Sequence, residues 1–581
     1  MPFYFDSNHQ PKVLIANRGE IAVRIIQACH DVGALAVAVY ADADSQALHV
    51  EMADEAYALE GASAKDSYLN IEKLLKIAKR AQATMVHPGY GFLSERSEFA
   101  KAVSDAGLIW VGPSAETIDL LGNKVSARRL AQEVGAPLAK GTDKPVENAQ
   151  EVVAFAKQYG LPIAIKAAFG GGGRGLKVAR EMKDVAELYE SAVREAQVAF
   201  GRGECFVEQF LESPRHIEAQ VLCDQFGKVI VLGTRDCSLQ RRNQKLVEEA
   251  PAPYLSDEQR QKIHNAARDI CLAAHYVGAA TVEFLLSRDG TVAFLEVNTR
   301  LQVEHPVTEM VTGIDIVVEQ LRIASGLKLE CDENLNVQGH AFEFRINAED
   351  PGKGFLPTPG TIIQFKMPTG AGVRIDTGVR SGSSVPGEFD SLMAKLIVYG
   401  QDRSQALQRA RRALSEFTIE GVSSVLDFHR AVVECDDFMK DFAVHTRWIE
   451  TQNKITFASS PRPEVNDNSI HRFMIEIDGK RCQIGLPQSL LAGFNQGSVR
   501  LEKPKHEQSD IDSSLLRAPI TGSLYKWKVV NGEAVSKGQT IAIMEAMKME
   551  LQVFASCDGT LEQQVDEGQA VTAEQIIGQI R

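Results

Sequence analysis

The sequence predicts a multidomain protein of the α/β and α+β classes, with a doubly wound domain first and a small all-β barrel last. Three observations lead to this expectation. Strand and helix patterns alternate near the N-terminus, hairpins and a glycine-rich loop follow, and the C-terminal segment nearly repeats itself. A chain of 581 residues is long enough for roughly three or four domains.

The N-terminal segment shows the strand–helix alternation of a parallel sheet. Val13–Ala16 reads as a buried strand, and the helix that follows has apolar residues three or four apart until Gly33 ends it. Leu35–Tyr40 completes a β-α-β unit, and the alternation continues to Pro113. The first turn lacks Gly-x-Gly-x-x-Gly, so we expect no dinucleotide there. These patterns predict a doubly wound domain over residues 10–122.

The second region, residues 123–330, carries a glycine-rich loop. Gly170–Gly175 follows the strand Pro162–Lys166, and glycines let backbone N–H groups approach phosphate oxygens closely. No Gly-x-x-x-x-Gly-Lys-Ser/Thr motif is present, so this is not a P-loop. The loop alone fits a structural hairpin equally well, but Lys124 and Lys166 favour phosphate binding.

Two carboxylates are predicted to share one face of a hairpin. The strands Thr281–Leu286 and Thr291–Glu296 flank a turn at Asp289-Gly290. A two-residue turn places Glu283 directly opposite Glu296, whereas a four-residue loop makes them diagonal neighbours ~7–8 Å apart. In either register the carboxylates repel each other, and Mg²⁺ between them would relieve the repulsion. The alternative is an exposed polar face without a metal.

Near the C-terminus, Lys548 in the segment Met544–Glu550 lies between two similar units. Two such units can pack as a barrel with pseudo-twofold symmetry, which leaves the segment between them as an exposed hairpin. A lysine at the tip of a rigid hairpin suits covalent attachment better than a surface ion pair. The matching pairs are Gly522–Leu524 with Gly559–Leu561, and Val530–Val535 with Asp566–Val571.

Long motifs in the chain resemble those of the biotin carboxylase family, as found in the α subunits of biotin-dependent acyl-CoA carboxylases. The motifs that carry this resemblance are Ile15–Ala22, His87–Glu95, Arg235–Arg242, Glu248–Pro253 and Glu296–Glu309. The methionines on either side of Lys548 are similar to those of biotinyl carriers, whereas lipoyl carriers usually have Asp-Lys-Ala. The resemblance implies five parts: a biotin carboxylase N-terminal domain (10–122), an ATP-grasp domain (123–330), a biotin carboxylase C-terminal domain (339–449), a linker with a possible small β insertion (450–513) and a biotinyl barrel (514–581).

The resemblance also implies a role for each matched residue. ATP binding is implied for Lys124, Lys166, Gly172, Gly173, His216, Gln240 and Lys245, with Glu208, Phe210 and Leu211 near the adenine. Metal binding (Mg²⁺ or Mn²⁺) is implied for Glu283, Glu296 and Asn298, and bicarbonate binding for Arg300, Gln302 and Val303. Glu304 matches the general base that deprotonates bicarbonate, and Arg345 matches the residue that stabilises the biotin enolate. Asn243 departs from the family, which often has His there, and predicts altered nucleotide contacts.

Composition narrows the class of protein. A formal net charge of −14 without a basic tail argues against nucleic-acid binding, and no apolar run reaches the ~18 residues of a membrane span. Nine cysteines without a Cys-x-x-Cys pair fit a reducing compartment. The first ten residues resemble neither a signal peptide nor a transit peptide, so we expect a cytoplasmic protein.

Two other functions were weighed against this one: a different ATP-grasp ligase, such as a carbamoyl-phosphate-type enzyme, and a passive carrier. The carrier domain argues against the first, and the complete set of matched site residues argues against the second. The resemblance implies a carboxyltransferase β subunit, a biotin protein ligase and a second copy of this chain as partners. The acceptor stays open among acetyl-CoA, propionyl-CoA, a branched enoyl-CoA and pyruvate, because no carboxyltransferase region is recognised in this sequence.

We predict that Lys548 alone carries biotin. After co-expression with a biotin protein ligase, intact-mass analysis should show one added biotin, and Lys548→Arg should remove it because only a neutral amine can be acylated. That variant should still cleave ATP with free biotin. Biotin on another lysine, or lipoate on Lys548, would contradict the assignment.

Overall fold

The computed structural model describes residues 10–142, 144–167, 176–200, 202–331, 335–440, 442–452, 455–459, 470–477, 480–487, 514–519, 522–546, 549–571 and 575–581. Lys548, Gly172, Gly173 and most of the predicted linker therefore lie outside the described residues. Across the described ranges, no helix is both long enough and apolar enough to cross a membrane.

The N-terminal region is a doubly wound α/β domain, which confirms the predicted alternation. Its strands are β1 (Lys12–Ile15), β2 (Leu35–Tyr40), β3 (Glu55–Ala58), β4 (Met85–His87) and β5 (Ile109–Trp110). Its helices are α1 (Gly19–Asp31), α2 (Leu48–Met52), α3 (Ile71–Ala81), α4 (Ser97–Asp105) and α5 (Ala115–Gly122). The strands are parallel in the order β3-β2-β1-β4-β5. Val13 and Leu14 of β1 belong to separate cores on its two faces, which explains the uninterrupted apolar run.

A small antiparallel lobe follows and carries the glycine-rich loop. Helix α6 (Lys124–Glu133) precedes the lobe, and its buried Ala127 and Ala131 belong to one core with Ile217 and Phe294 of the central sheet. The elements of the lobe are α7 (Ala149–Tyr159), β6 (Ile163–Ala167), β7 (Leu176–Ala179), α8 (Val185–Phe200) and β8 (Cys205–Gln209). The strands pair in the order β7-β6-β8. Phe155 of α7 belongs to one core with Ile163 of β6, Ala179 of β7 and Val207 of β8, so the helix packs on all three strands, including the two that flank the loop.

An eight-stranded antiparallel sheet forms the centre of the molecule. Its strands are β9 (Arg215–Cys223), β10 (Val229–Arg241), β11 (Gln244–Ala250), β12 (Gly278–Leu286), β13 (Val292–Asn298), β14 (His340–Asn347), β19 (Val373–Thr377) and β21 (Leu392–Gly400). Their order is β13-β12-β9-β10-β11-β14-β21-β19. Because β11 pairs with β14, the sheet runs without a break between the second and third predicted parts. Shorter strands complete the region: β15 (Glu349–Asp350), β16 (Leu356–Pro357), β17 (Gly360–Thr361), β18 (Gln364–Lys366), β20 (Ser384–Val385) and β22 (Thr418–Glu420).

Helices cover both faces of this sheet. They are α9 (Asp257–Ala273), α10 (His305–Thr312), α11 (Ile316–Ala324), α12 (Arg403–Glu416), α13 (Leu426–Val432), α14 (Asp436–Met439) and α15 (Trp448–Thr451). Phe344 and Leu396 pack with α12 on one face, whereas Ile397 packs with Val307 of α10 on the other. Helix α10 thus brings Glu304, its N-cap residue, onto the sheet.

The C-terminal region is the predicted all-β barrel. Its strands are β25 (Leu515–Arg517), β26 (Gly522–Trp527), β27 (Ala534–Val535), β28 (Thr540–Ala546), β29 (Met549–Phe554), β30 (Gly559–Gln563), β31 (Ala570–Val571) and β32 (Ile576–Ile580). They form two four-stranded sheets, β25-β32-β30-β27 and β29-β28-β26-β31. The repeated motifs fall on β26 and β27 in one unit and on β30 and β31 in the other. Ala546 pairs with Met549, so β28 and β29 end on either side of the lysine position.

Within the predicted linker, β23 (Ile470–Ile477) and β24 (Lys480–Pro487) pair in antiparallel fashion. Ile477 is paired with Lys480, which confirms the predicted hairpin around Asp-Gly.

We predict that Gly378→Ala destabilises the protein. An added Cβ would lie 2.5 Å from the backbone N of Glu20 and 2.7 Å from the carbonyl C of Gly19, at the start of α1. Overpacking against backbone costs about 1–3 kcal/mol, so the melting temperature should fall. Gly122→Ala is the matched control, because among the described residues its Cβ meets no atom within 4 Å. Equal melting temperatures for both variants would contradict the close approach.

Candidate active site

The hairpin of β12 and β13 holds Glu283 directly opposite Glu296. Its loop has neither of the lengths considered from the sequence: residues 288–290 form it, and the flanking backbone N and O atoms are 2.9 Å apart. In that register Glu283 would face Leu295, and Glu296 would point to the opposite face. A one-residue bulge between the two ends of the hairpin restores the pairing. The predicted proximity is therefore correct, but a bulge produces it.

Glu283 is buried within a shell of hydrogen-bond donors. Its carboxylate lies 3.0 Å from His216 Nε2 and 3.0 Å from Lys245 Nζ. It also accepts hydrogen bonds from Asn298 Nδ2 at 2.8 Å and Gln302 Nε2 at 3.2 Å. Burial alone would raise the pKa of Glu283, but the charges of Lys245 and His216 outweigh it and lower the pKa. Glu283 is therefore ionised at neutral pH.

Glu296 differs from Glu283 because its side chain is 35% exposed, and it contacts Lys124 Nζ at 3.3 Å. Glu283, Glu296 and Asn298 together offer oxygen donors, which Mg²⁺ prefers along with phosphate oxygens. Lys124 pairs with Glu296, and Lys245 pairs with Glu283. The residues present thus fit a magnesium ion that binds together with a nucleotide. The phosphate oxygens of the nucleotide can accept hydrogen bonds from the ammonium groups of the two lysines.

Lys245 is the cation that three buried carboxylates share. Its Nζ lies 2.8 Å from Glu218, 3.0 Å from Glu283 and 2.7 Å from Glu304. Burial alone would lower the pKa of Lys245, but the three carboxylates raise it well above its usual value. The ammonium is therefore charged, and it holds β9, β11, β12 and the start of α10 together.

Glu218 is a site residue that the sequence did not indicate. It is fully buried and accepts hydrogen bonds from Arg235 Nη2 at 3.0 Å and the Cys237 thiol at 2.5 Å. A signal was present: His216, Glu218 and Gln220 alternate along β9 and are all buried. Polar residues at a period of two on a buried strand share one face, and they indicate a polar centre beneath it.

Glu304 is clamped between two cations. Arg345 Nη2 donates to its second oxygen at 2.9 Å, while Lys245 contacts the first. Burial would raise the pKa of Glu304, but Lys245, Arg345 and Arg235 hold it well below the usual range. Arg345 is fixed in turn by Glu248, whose Oε1 accepts from Nε at 2.6 Å. The predicted base and the predicted biotin-binding arginine are thus in direct contact.

Arg300 lies at the edge of the same centre. Its guanidinium donates to Glu95 Oε2 at 2.9 Å, to Gln302 Oε1 at 3.0 Å and to Asn298 Oδ1 at 3.2 Å. Glu95 belongs to the N-terminal domain, so this contact closes the site from that side.

Lys395 supports the predicted bicarbonate loop from beneath. It is fully buried, and its Nζ donates to the Val303 carbonyl at 2.9 Å and pairs with Glu20 at 3.1 Å. Tyr90 also donates to Glu20. The sequence did not indicate Lys395, because a lysine in an apolar strand has no partner within its own segment.

The small lobe holds a second group of predicted residues. Lys166 of β6 is paired with Glu208 of β8, and Arg128 lies 3.6 Å from the same carboxylate. The Phe210 ring stacks with Arg180, whose guanidinium carbon is 5.5 Å from the ring centroid. The contact of Arg128 therefore joins Glu208 of the lobe to α6.

The hairpin between β10 and β11 explains why Asn is suitable at position 243. Arg242 and Asn243 form its exposed two-residue turn with φ values of 49° and 64°. Asn tolerates this left-handed region better than most residues. Gln240, just before the turn, is buried and donates to the Cys237 carbonyl at 3.4 Å.

Hydrogen bonds and ion pairs join eight of the predicted residues into one cluster. They are His216, Lys245, Glu283, Asn298, Arg300, Gln302, Glu304 and Arg345. Lys124 and Glu296 form a pair at its rim, Val303 is held through its carbonyl, and Leu211 follows Phe210 beyond the end of β8.

Family models match four successive regions of the chain. They are described as the biotin carboxylase N-terminal domain (residues 9–118), the carbamoyl-phosphate synthase L chain ATP binding domain (123–332), the biotin carboxylase C-terminal domain (343–451) and biotin-requiring enzyme (514–580). The second description names the alternative ligase considered above, but the models on either side of it are those of biotin carboxylases.

Relatives give the same result. The chain is 53% identical to a biotin-dependent acyl-coenzyme A carboxylase alpha3 subunit of Mycobacterium leprae, over 99% of both chains. It is 48% identical to a biotin carboxylase of a Nostoc species, over 76% of this chain and 99% of that one.

Solved structures agree. The biotin carboxylase of Campylobacter jejuni in complex with β,γ-ATP superposes with a TM-score of 0.72 at 41% identity, over 76% of this chain and 98% of that one. The biotin carboxylase domain dimer of the Hydrogenobacter thermophilus 2-oxoglutarate carboxylase, bound to MgADP, ADP and bicarbonate, has a TM-score of 0.71 at 43% identity, with the same coverage. The predicted resemblance and fold class are confirmed. The chain therefore belongs to the family of biotin-dependent acyl-CoA carboxylase α subunits, as a biotin carboxylase joined to its own biotin carrier domain.

Proposed function

We propose that this chain uses ATP, Mg²⁺ and bicarbonate to carboxylate biotin on Lys548, and delivers the carboxyl group to a separate carboxyltransferase β subunit. The observation that carries the proposal is the cluster around Glu304, in which an ionised, fully buried carboxylate touches both Lys245 and Arg345. Such a centre has the charges to bind two anions, a nucleotide and bicarbonate, in a place where water is excluded.

Glu304 is proposed as the base that takes the bicarbonate proton. In the resting arrangement its pKa is too low for this, because a base works best when its pKa is near the operating pH. Among the cations that lower the pKa of Glu304, Lys245 has the largest effect. ATP phosphates that draw the Lys245 ammonium toward them would raise the pKa of Glu304 when the substrates are present. The base is then active only in the loaded site.

Arg300, Gln302 and Val303 are proposed to hold bicarbonate beside Glu304. Arg300 is pre-oriented by Glu95, and the Val303 carbonyl by Lys395, so little rearrangement is needed on binding. Bicarbonate attack on the γ-phosphate gives ADP and carboxyphosphate, which releases CO₂ and phosphate. The phosphate then accepts the proton that biotin loses.

Arg345 is proposed to face the ureido oxygen of biotin. A guanidinium stays charged and offers donors in a fixed plane, which suits an oxygen that gains negative charge. Glu248 and Glu304 take its Nε and Nη2 donors, so the plane of the group is set before biotin arrives.

Magnesium is proposed to bind with the ATP phosphates at Glu283 and Glu296, beside Asn298, where it would neutralise phosphate charge. Lys124, Lys166 and Lys245, with His216, are proposed to contact the nucleotide. Glu208, Phe210 and Leu211 are proposed to lie near its adenine.

The acceptor is proposed to be acetyl-CoA or propionyl-CoA, because the M. leprae relative is described as acting with acyl-coenzyme A. A biotin protein ligase is required to modify Lys548. A homodimer is supported by the dimer described for the H. thermophilus domain. A cytoplasmic location is supported by Cys29, Cys205, Cys223, Cys237 and Cys271, which are buried and form no disulfide bond. We propose the same five-part division of the chain, in which the second and third parts share one sheet.

We predict that bicarbonate-dependent ATP cleavage requires both carboxylates of the β12–β13 hairpin. Glu283→Gln and Glu296→Gln remove one charge each while keeping the shape. Each should lower kcat/KM for MgATP by at least about tenfold, the effect of losing one charged contact. Glu258→Gln is the control, because Glu258 pairs with Lys262 on the exposed face of α9. Parent-like kinetics in both hairpin variants at ordinary magnesium would refute the pairing.

We predict that residues 450–513 are a tether that lets biotin travel between two active sites. As a flexible coil of roughly 64 residues the segment would have a root-mean-square span of ~40–48 Å, and the β23–β24 hairpin shortens that reach. Tethering keeps biotin at a high effective concentration near both sites. Deleting residues 488–512 should spare carboxylation of free biotin but depress carboxyl transfer to an acyl-CoA in the reconstituted complex.

A Gly/Ser segment of equal length, inserted in place of residues 488–512, is the matched control and should restore the transfer rate. If the purified chain alone carboxylated an acyl-CoA at full rate, both the tether and the separate β subunit would be ruled out.

A further inference from the structure

Two glutamates lie side by side behind Arg345. Glu248 of β11 is paired directly with Glu343 of β14, and both are fully buried. Opposite residues of an antiparallel pair share one face, with Cβ atoms ~4.5–5.5 Å apart. Arg345 is two residues beyond Glu343 on β14, so all three side chains occupy the face that α10 covers.

The hydrogen bonds of this pair are incomplete. Glu248 Oε1 accepts from Arg345 Nε at 2.6 Å. Among the described residues, Glu248 Oε2 and both oxygens of Glu343 are buried without a hydrogen-bond partner. Buried carboxyl oxygens are almost always satisfied, so three such atoms at one point call for a donor that the heavy atoms do not reveal.

Every element packed against the pair contributes charge or apolar surface to it. The charged groups are Lys245 on β11, Arg345 on β14, Lys395 on β21 and Glu304 at the start of α10. His305, the first residue of α10, has a pKa well below its usual value through burial and is neutral. Ile397 is paired with Glu343 from β21, and Val307 of α10 belongs to the same apolar cluster as Ile397, so the neighbours on that side are apolar.

One added proton on Glu343 satisfies two of these three oxygen atoms, the one that carries it and Glu248 Oε2. A neutral carboxyl group donates one hydrogen bond, and a facing carboxylate oxygen accepts it. Burial raises the pKa of Glu343 well above its usual value and that of Glu248 to about 7, against the opposing charges of Lys395 and Arg345. Two adjacent buried carboxyl groups titrate as a pair and share the first proton.

We propose that Glu343 holds a proton that it donates to Glu248 Oε2, and that this acid pair positions Arg345 for biotin. Because Glu248 Oε2 accepts the hydrogen bond from Glu343, Glu248 Oε1 accepts only the hydrogen bond from Arg345 Nε. This role rests on the proposed function of Arg345. Glu343 and Glu248 touch no substrate atom and act through the arginine.

The pair gives the biotin reaction a pH dependence of defined sign. While the pair keeps its proton, Glu248 and Glu343 together carry one negative charge next to Arg345. Loss of that proton at higher pH adds a second charge, which draws the guanidinium away from the biotin oxygen. We therefore expect kcat/KM for biotin to fall as pH rises, and we call this decrease the alkaline limb of the pH profile. The rate of ATP cleavage without biotin should not show this limb.

Two substitutions at Glu343 separate the proton from the packing. In Glu343→Gln, the side-chain amide donates to Glu248 and cannot ionise. It should keep kcat/KM for free biotin within about twofold at neutral pH and lose the alkaline limb. Glu343→Leu has no donor and should lower kcat/KM at least about tenfold. Glu249→Gln is the control, because Glu249 faces the other side of β11 toward Arg403 and His340; it should lower the melting temperature and keep the limb.

Infrared difference spectroscopy of the substrate-free chain tests the proton without reference to activity. The carbonyl band of a protonated carboxylic acid should be present in the parent and reduced in Glu343→Gln. An unchanged band, or an alkaline limb that persists in Glu343→Gln, overturns the proposal. The infrared band and the pH profile of Glu343→Gln test the proposal even if Glu343→Leu fails to fold. If the parent carboxylates no biotin, the proposed function fails, while the infrared result still decides whether the proton is shared.

Discussion

The structure depends on one constraint: a fully charged ammonium and three carboxylates are buried together at Lys245. Ions taken out of water are tolerated only when each one has partners with good geometry. Glu218, Glu283 and Glu304 come from three elements far apart in the chain, so the folds of β9, β12 and α10 must meet at one point. Removing Lys245 would leave Glu218, Glu283 and Glu304 without the cation that they share. The cations of this centre, Lys245, Arg300 and Arg345, are the groups that can attract anionic substrates.

The site also ties the N-terminal domain to the central sheet. Lys395 on β21 forms an ion pair with Glu20 at the start of α1, and Arg300 forms an ion pair with Glu95 of the same domain. Gly378 lets the backbone of the third region approach α1 closely. Lys395 and Arg300 also contact Val303 and Gln302 of the proposed bicarbonate loop, so the packing of the N-terminal domain and the shape of this loop depend on the same residues. A change in either should alter the other.

Particular residues show how far sequence reasoning reaches. The alternation of strands and helices, the glycine loop, the hairpin with two carboxylates and the repeat around Lys548 were all visible as local patterns. The opposition of Glu283 and Glu296 was inferred correctly, but from turn lengths that the hairpin does not have; a bulge supplies the register. A bulge depends on packing against β9 as well as on the turn, so no local pattern specifies it. Glu218, Glu248 and Lys395 were missed because each is defined by partners on other strands.

The sequence by itself determined the family, the order of the parts, the barrel and the residue types available for the chemistry, because these are written in spacing, periodicity and long motifs. Only the tertiary structure decided which of these residues meet and in what state of charge. Tertiary contacts joined Glu304 to Arg345, and strand pairing placed Glu343 beside Glu248. Protonation follows from burial and from neighbours in space, and neither is a property of the linear chain.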